Sequence, residues 1–127
     1  HANAPRTAFE TLRRVGGREI AGIAGAVLAA RHARVPVMLD GFIACAALAP
    51  LVADQPALAE HCLAGHCSAE PGHRRLLHQF SLTPLLQLGM RLGEGSGAAV
   101  AVPIVRAALA THNGMATFAE ASVSGKL

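Results

Sequence analysis

An α/β fold, a Rossmann-like parallel sheet with flanking helices, is predicted by three features of the 127-residue sequence. Near residue 35 an apolar stripe at helical spacing gives way to a short continuous apolar run, Val35-Pro36-Val37-Met38-Leu39, the pattern of a strand buried on both faces. Asp40-Gly41 closes that run before another helical stretch, and the C-terminal end of a strand is where open α/β sheets bind ligands. The alternation then repeats, with a second strand near His61 to His66 followed by a further helix.

Each element has its own signal. A short amphipathic segment covers Ala8 to Val15, and Gly16-Gly17 breaks it. A long helix follows from about Arg18 to Arg34, with Ile20, Ile23, Ala24, Val27, Leu28 and Arg31 on one stripe and basic residues at its C-terminal, negative end. Gly22 and Gly25 fall on or beside the expected buried side, which would let another backbone approach. Phe42 to Val52 returns to helical period. Pro56 to Leu63 reads as a short helix or a strand lead-in. Pro71 to about Phe80 is a helix with Pro in an early position. Thr83-Pro84 opens another short helix that stops at Gly89, and Met90-Arg91-Leu92 is read as the edge of a third strand. Gly93 to Gly97 is a loop. Ala98 to His112 is helical, with Pro103 kinking it or marking a late start. Thr117 to Glu120 forms a last turn. No repeat or linker divides the chain, so residues 1–127 are expected to be one unit without an internal boundary.

Composition excludes several classes. Hydrophobic residues make up 52% and charged residues 15% of the chain, against the low hydrophobicity and high charge that disorder requires. Four Phe are the only aromatic residues besides histidine, too few for base-stacking platforms on single-stranded nucleic acid. The net charge of +3 is spread over single and paired Arg residues, with no basic block to read nucleic acid or anionic lipid. Val35 to Ala53 approaches the ~20 apolar residues of a membrane helix. It contains Pro36, Asp40 and Pro50, however, and a mid-span Asp costs ~2.5–3.5 kcal/mol. Three cysteines, Cys45, Cys62 and Cys67, argue against a disulfide framework and for a reducing, cytoplasmic setting. The N-terminal stretch carries no signal-peptide pattern. The chain begins at His1 rather than Met, as a processed chain or a piece of a longer protein would.

Two clusters have chemistry-bearing residues. His61-Cys62 and His66-Cys67, with His73 and His78 downstream, are metal-ligand types. Their spacing is not that of a tight zinc knuckle and no second half answers them, so no metal site is expected. The Gly93 to Gly97 loop stands before a helix, where backbone N–H groups can form an anion-binding nest. Glu94 lies inside it, between the apolar Met90 and Leu92 and the helix. A carboxylate at the lip of an apolar pocket, partly desolvated, could serve as a general base. A flexible turn with a solvated Glu is the plainer alternative.

The segments Val35 to Phe42, Ser68-Ala69-Glu70-Pro71-Gly72-His73 and, above all, Gly89-Met90-Arg91-Leu92-Gly93-Glu94-Gly95-Ser96-Gly97-Ala98 closely resemble the nicotinate-nucleotide–dimethylbenzimidazole phosphoribosyltransferases. Val15-Gly16-Gly17 with Glu19-Ile20, and Met115-Ala116-Thr117-Phe118, add to the resemblance, which runs in order along nearly the whole chain. It implies an enzyme of cobalamin nucleotide-loop assembly, which transfers phosphoribose from nicotinate mononucleotide to 5,6-dimethylbenzimidazole and yields α-ribazole 5′-phosphate and nicotinate. It further implies a homodimer, and neither metal nor cofactor. By position, Glu94 matches the family's general base. Asp40, Gly41, Ser68 and Glu70 match positions near the ribose phosphate and Leu92 a wall of the benzimidazole pocket; Gly93 and Gly95, on either side of Glu94, are expected to bind substrate as well. The family's enzymes are much longer, and the match is to their C-terminal part. The alternative is therefore a non-catalytic fragment, or a folding and dimerisation module, carrying only part of an active site.

Overall fold

The computed structural model describes residues 3–124. It holds three parallel strands in the order β1 (Val37–Leu39), β2 (Cys62–His66) and β3 (Pro84–Leu86). Five α-helices accompany them: α1 (Ala8–Thr11), α2 (Gly17–His32), α3 (Phe42–Asp54), α4 (His73–Gln79) and α5 (Ser96–Gly114). A π-helical turn, Leu12–Gly16, joins α1 to α2, and a 3-10 turn, Pro56–Ala59, leads from α3 towards β2. The α/β class expected from the period switch is the one observed.

The break at Gly16-Gly17 has a backbone cause: Gly17 stands at φ +71°, which a residue with a Cβ adopts only at a cost. After it, the stripe on α2 meets the core through Val27, with Ile20, Ile23 and Leu28 packed at its margin. Gly22 and Gly25, expected beside the buried side, instead face open space: a methyl at either position would meet no atom within 4 Å. Arg31, at the end of the stripe, reaches Glu60 at 3.7 Å. The helix closes with Arg34 at φ +56° and Val35 N–H donating to the Ala30 carbonyl at 2.9 Å, the αL closure that satisfies an otherwise orphaned carbonyl.

Strand β1 is shorter than the apolar run that predicts it. Val37 N–H donates to the His61 carbonyl at 3.1 Å, whereas Pro36 has no N–H to give and remains outside the ladder. Helix α3 runs through Pro50 and supplies most of the core: Cys45, Ala47 and Leu48 are fully buried against Leu39, Cys62, Ala64 and Leu77. Small residues on both helix and sheet make this core rich in Ala and Cys.

Two expectations fail around the third strand. Thr83-Pro84 does not open a helix; Pro84–Leu86 is β3, pairing Ala64 with Pro84 and His66 with Leu86. Proline is tolerated because it is the first residue of an edge strand, and the outer edge of β2 would otherwise keep unpaired donors. Met90-Arg91-Leu92 is not a strand; its one ladder-like bond is Ala69 N–H to the Met90 carbonyl, 3.0 Å.

Helix α5 begins at Ser96 and continues through Pro103, so no late start occurs there. It lies across the sheet face opposite α3. Cys62 and Ala64 point into the α3 core, while Gly65, of opposite parity, abuts α5: a Cβ on Gly65 would come within 2.9 Å of Ala98 Cα. Only the first turns of α5 are covered, and every residue from 106 to 124 is exposed. On that face Leu63 and Leu85 also remain open.

Candidate active site

The parallel strands point their C-terminal ends to one side, and a cleft of ≈ 480 Å³ opens there. Asp40 and Gly41 follow β1, Ser68 and Glu70 follow β2, and Leu92, Gly93, Glu94 and Gly95 close the rim before α5. All eight residues singled out in the sequence therefore line one cleft. Phe42, Ile43 and Ala44, the first turn of α3, line it as well, and the N–H groups of a first helical turn have no partner within their own helix.

Gly93, Glu94 and Gly95 are three consecutive residues in the left-handed region, at φ +76°, +57° and +74°. For Glu94 that conformation costs ~1–2 kcal/mol. Arg34, Ser81 and Ser122, the other non-glycine residues with positive φ among those described, each end a helical turn; Glu94 does not. Its loop is tied by Ser96 N–H to the Gly93 carbonyl, 3.0 Å, and Ala99 N–H to the Gly95 carbonyl, 2.9 Å. Apolar cover for the carboxylate is missing. Glu94 is exposed and Leu92, the expected pocket wall, is 77% exposed, so the described residues build one side of such a pocket and leave the other open.

Beneath the cleft lies a buried polar chain. His73 is fully buried, and its Nδ1 accepts the Ser68 N–H at 2.9 Å. The ring's hydrogen is then on Nε2, which donates to Cys45 Sγ at 3.3 Å. Burial, with the neighbouring His66 second, pushes the His73 imidazole down and keeps it neutral. The Ser68 hydroxyl, 2.9 Å from the same Nδ1, and next the residue's own backbone N–H hold the Glu70 carboxyl below the usual carboxylate range.

His66 is 2% exposed, sits 6.1 Å ring to ring from His73, and brings Nε2 to 3.8 Å from Asp40 Oδ1. The histidines and cysteines that suggested a metal site are thus dispersed. His61 and Cys62 lie at the far end of β2, and His61 Nε2 is 3.2 Å from the Val27 carbonyl. Among the described residues no three such side chains stand together in a metal-binding group.

Cys45 and Cys62 are not poised for chemistry either. Burial pushes Cys45 up to about 12 and Cys62 up to about 11, so little thiolate, the reactive form, exists near neutrality. At pH 8 an aromatic disulfide reagent should leave both unmodified in the native full-length protein and modify both after denaturation, with peptide mass mapping as the readout. Rapid native labelling of Cys45 would contradict its burial.

Glu19, His66 and Arg91 also line the cleft and were not singled out as cleft residues in the sequence. Glu19 looks like an ordinary first-turn acid of α2, His66 like one of several ligand-type residues, and Arg91 like a strand residue. With them the lining carries four carboxylates, from Glu19, Asp40, Glu70 and Glu94, around the single guanidinium of Arg91.

A parallel sheet with an acidic, glycine-rimmed cleft at the strand ends defines an α/β protein whose cleft lies where open α/β folds bind small molecules. The family profile described as phosphoribosyltransferase matches residues 1–123. The nicotinate-nucleotide–dimethylbenzimidazole phosphoribosyltransferase of Novosphingobium aromaticivorans is 73% identical over 127 residues, 100% of this chain and 38% of the relative. The protein of the same name from Rhizobium etli strain CFN 42 is 63% identical over 118 residues, 93% of this chain and 35% of the relative. A crystal structure of the Thermus thermophilus protein of that name superposes with a TM-score of 0.88 at 43% identity, covering 99% of this chain and 37% of that one. The chain belongs to the nicotinate-nucleotide–dimethylbenzimidazole phosphoribosyltransferase family, and it spans 35–38% of the length of these curated relatives. Among the described residues no helix is long and apolar enough to cross a membrane.

Proposed function

We propose that this chain is the C-terminal part, without internal boundary, of an enzyme that moves phosphoribose from nicotinate mononucleotide to 5,6-dimethylbenzimidazole in cobalamin nucleotide-loop assembly. The observation that carries the reading is the convergence of Asp40, Gly41, Ser68, Glu70 and the Glu94 loop on one cleft at the strand ends.

The residues suit the reaction. One benzimidazole nitrogen attacks the anomeric carbon, and the bond from that carbon to the nicotinate nitrogen breaks with its electron pair going to the pyridine ring. The other benzimidazole nitrogen loses its proton to the Glu94 carboxylate, and attack opposite the leaving group turns the β-nucleotide into the α-ribazole phosphate. The pyridinium of the donor is cationic, and positive charge grows on the ribose as the bond breaks. The carboxylates of Glu19, Glu70 and Glu94 against one guanidinium favour both. The phosphate is served by the N–H groups at the start of α3, beside Gly41 and Ser68. Further cations for it, and the missing cover over Leu92 and Glu94, belong to the greater length of the relatives. The reading includes a cytoplasmic homodimer; the exposed Ile104 and Leu109 on α5 and Phe118 beyond it support an assembly larger than this chain.

The test is to supply both substrates to the full-length protein and to the 127-residue chain. The full-length protein should release nicotinate and form the α-anomer, identified by NMR. The chain alone should turn over poorly, because holding two substrates in register supplies ~7–11 kcal/mol of barrier reduction. Equal turnover by the isolated chain would contradict the division of labour. No product from the full-length protein would contradict the function.

A further inference from the structure

Asp40 has an employment in this structure besides facing the cleft. Its Oδ1 accepts the Ala98 N–H at 2.8 Å, across 58 positions of sequence. Ala98 is the third residue of α5, and Gly95, which precedes the helix, has no side chain with which to cap it. Asp40 therefore performs from the end of β1 what an N-cap side chain performs locally: it satisfies an orphaned first-turn N–H and places a carboxylate at the positive helix end.

His66 braces the same turn from β2. Gly97 lies so close on its ring that a Cβ there would overlap the imidazole. The ring cannot swing away, being 2% exposed and set edge-on to His73. His66 Nε2 faces Asp40 Oδ1, while its buried Nδ1 has no partner among the described residues; the tautomer with hydrogen on Nε2 leaves only a bare acceptor unsatisfied and turns the positive N–H edge to the carboxylate. The first turn of α5 is thus fastened at Ala98 and seated at Gly97. The two residues immediately before that turn are Glu94 and Gly95, both left-handed, and Glu94 is exposed, with no side-chain hydrogen bond of its own among those described.

We propose that Asp40 and His66 are a positioning pair that fixes the start of α5, and through it the place at which Glu94 presents its carboxylate over the cleft. The proposal rests on Glu94 being the general base. Asp40 acts through Glu94, where its position near the ribose had suggested a substrate contact. A displacement of about 1 Å at a reacting group can cost ~10² in rate, which sets the scale of the effect.

A double-mutant cycle in the full-length enzyme tests it. Asp40→Ala should lower kcat by the order of 10²-fold with little change in KM for nicotinate mononucleotide. Asp40→Asn keeps an oxygen that accepts the Ala98 N–H and should retain kcat within about threefold. In a Glu94→Gln background Asp40→Ala should cost little more, since residues that act as a unit are not additive. Multiplying losses, or a rise in KM for the nucleotide as the main effect, would overturn the proposal and make Asp40 a substrate contact. A collapse in Asp40→Asn would overturn it equally, and that variant decides even if Asp40→Ala does not fold. Normal kcat in Glu94→Gln alone would instead remove the general-base reading on which the proposal stands.

Discussion

Changing Glu94 to Gln in the full-length protein is expected to lower kcat by ~10²–10⁴, with a much smaller change in the dissociation constant of dimethylbenzimidazole. Gln preserves size and hydrogen-bonding reach but takes no proton, so binding and chemistry separate. The backbone adds weight to the expectation. A left-handed glutamate that ends no helix is a local cost in stability, and such costs cluster where a side chain must be aimed. A solvated loop carboxylate without a task would leave kcat within a few-fold of wild type. Steady-state rates together with a calorimetric titration of dimethylbenzimidazole read both quantities.

The second large effect is expected at Gly97. Gly97→Ala ought to gain up to ~1 kcal/mol from helix propensity. The new methyl, however, falls on the His66 imidazole, which is buried and packed edge-on against His73. Overpacking of ~1–3 kcal/mol therefore wins, and the start of α5 moves off the sheet, taking the Glu94 loop with it. Gly22→Ala, also within a helix but with open space at the methyl position, should stabilise by ~0.5–1 kcal/mol. Denaturant midpoints of the two variants, measured side by side, should shift in opposite directions. A Gly97→Ala variant as stable and active as wild type would mean that His66 does not hold α5.

How far the sequence could be read follows from the range of the interactions. Helix α2 and strand β1 were legible because their signals are local: a stripe of period 3.6, then an unbroken apolar run. Strand β3 was not. Thr83-Pro84-Leu85-Leu86 suits the first turn of a helix as well as an edge strand, and only the unpaired edge of β2 decides between them. Gly22 and Gly25 were misplaced because a helix that packs against α3 with Ala and Val has no sharp polar boundary. Asp40 was legible as a candidate from its place at a strand end, yet its bond to Ala98 was not, since nothing local joins residues so far apart. His66 was visible only as one ligand-type residue among several, and its meaning comes from Gly97 on its ring. The individual roles carried over from the family resemblance have a cleft in which to act, but the pocket around Leu92 and Glu94 is half built. A pattern within the 127 residues could not reveal what completes it.

A crystal structure of the full-length protein with α-ribazole 5′-phosphate bound tests the central claim most directly. The product is expected in the cleft between Asp40, Ser68 and the Gly93 to Gly97 loop, with its phosphate towards the first turn of α3. The base nitrogen that is not bonded to ribose should lie within ~2.6–3.2 Å of the Glu94 carboxylate. A product seated elsewhere, or a Glu94 carboxylate turned away from that nitrogen and out of reach, would contradict it.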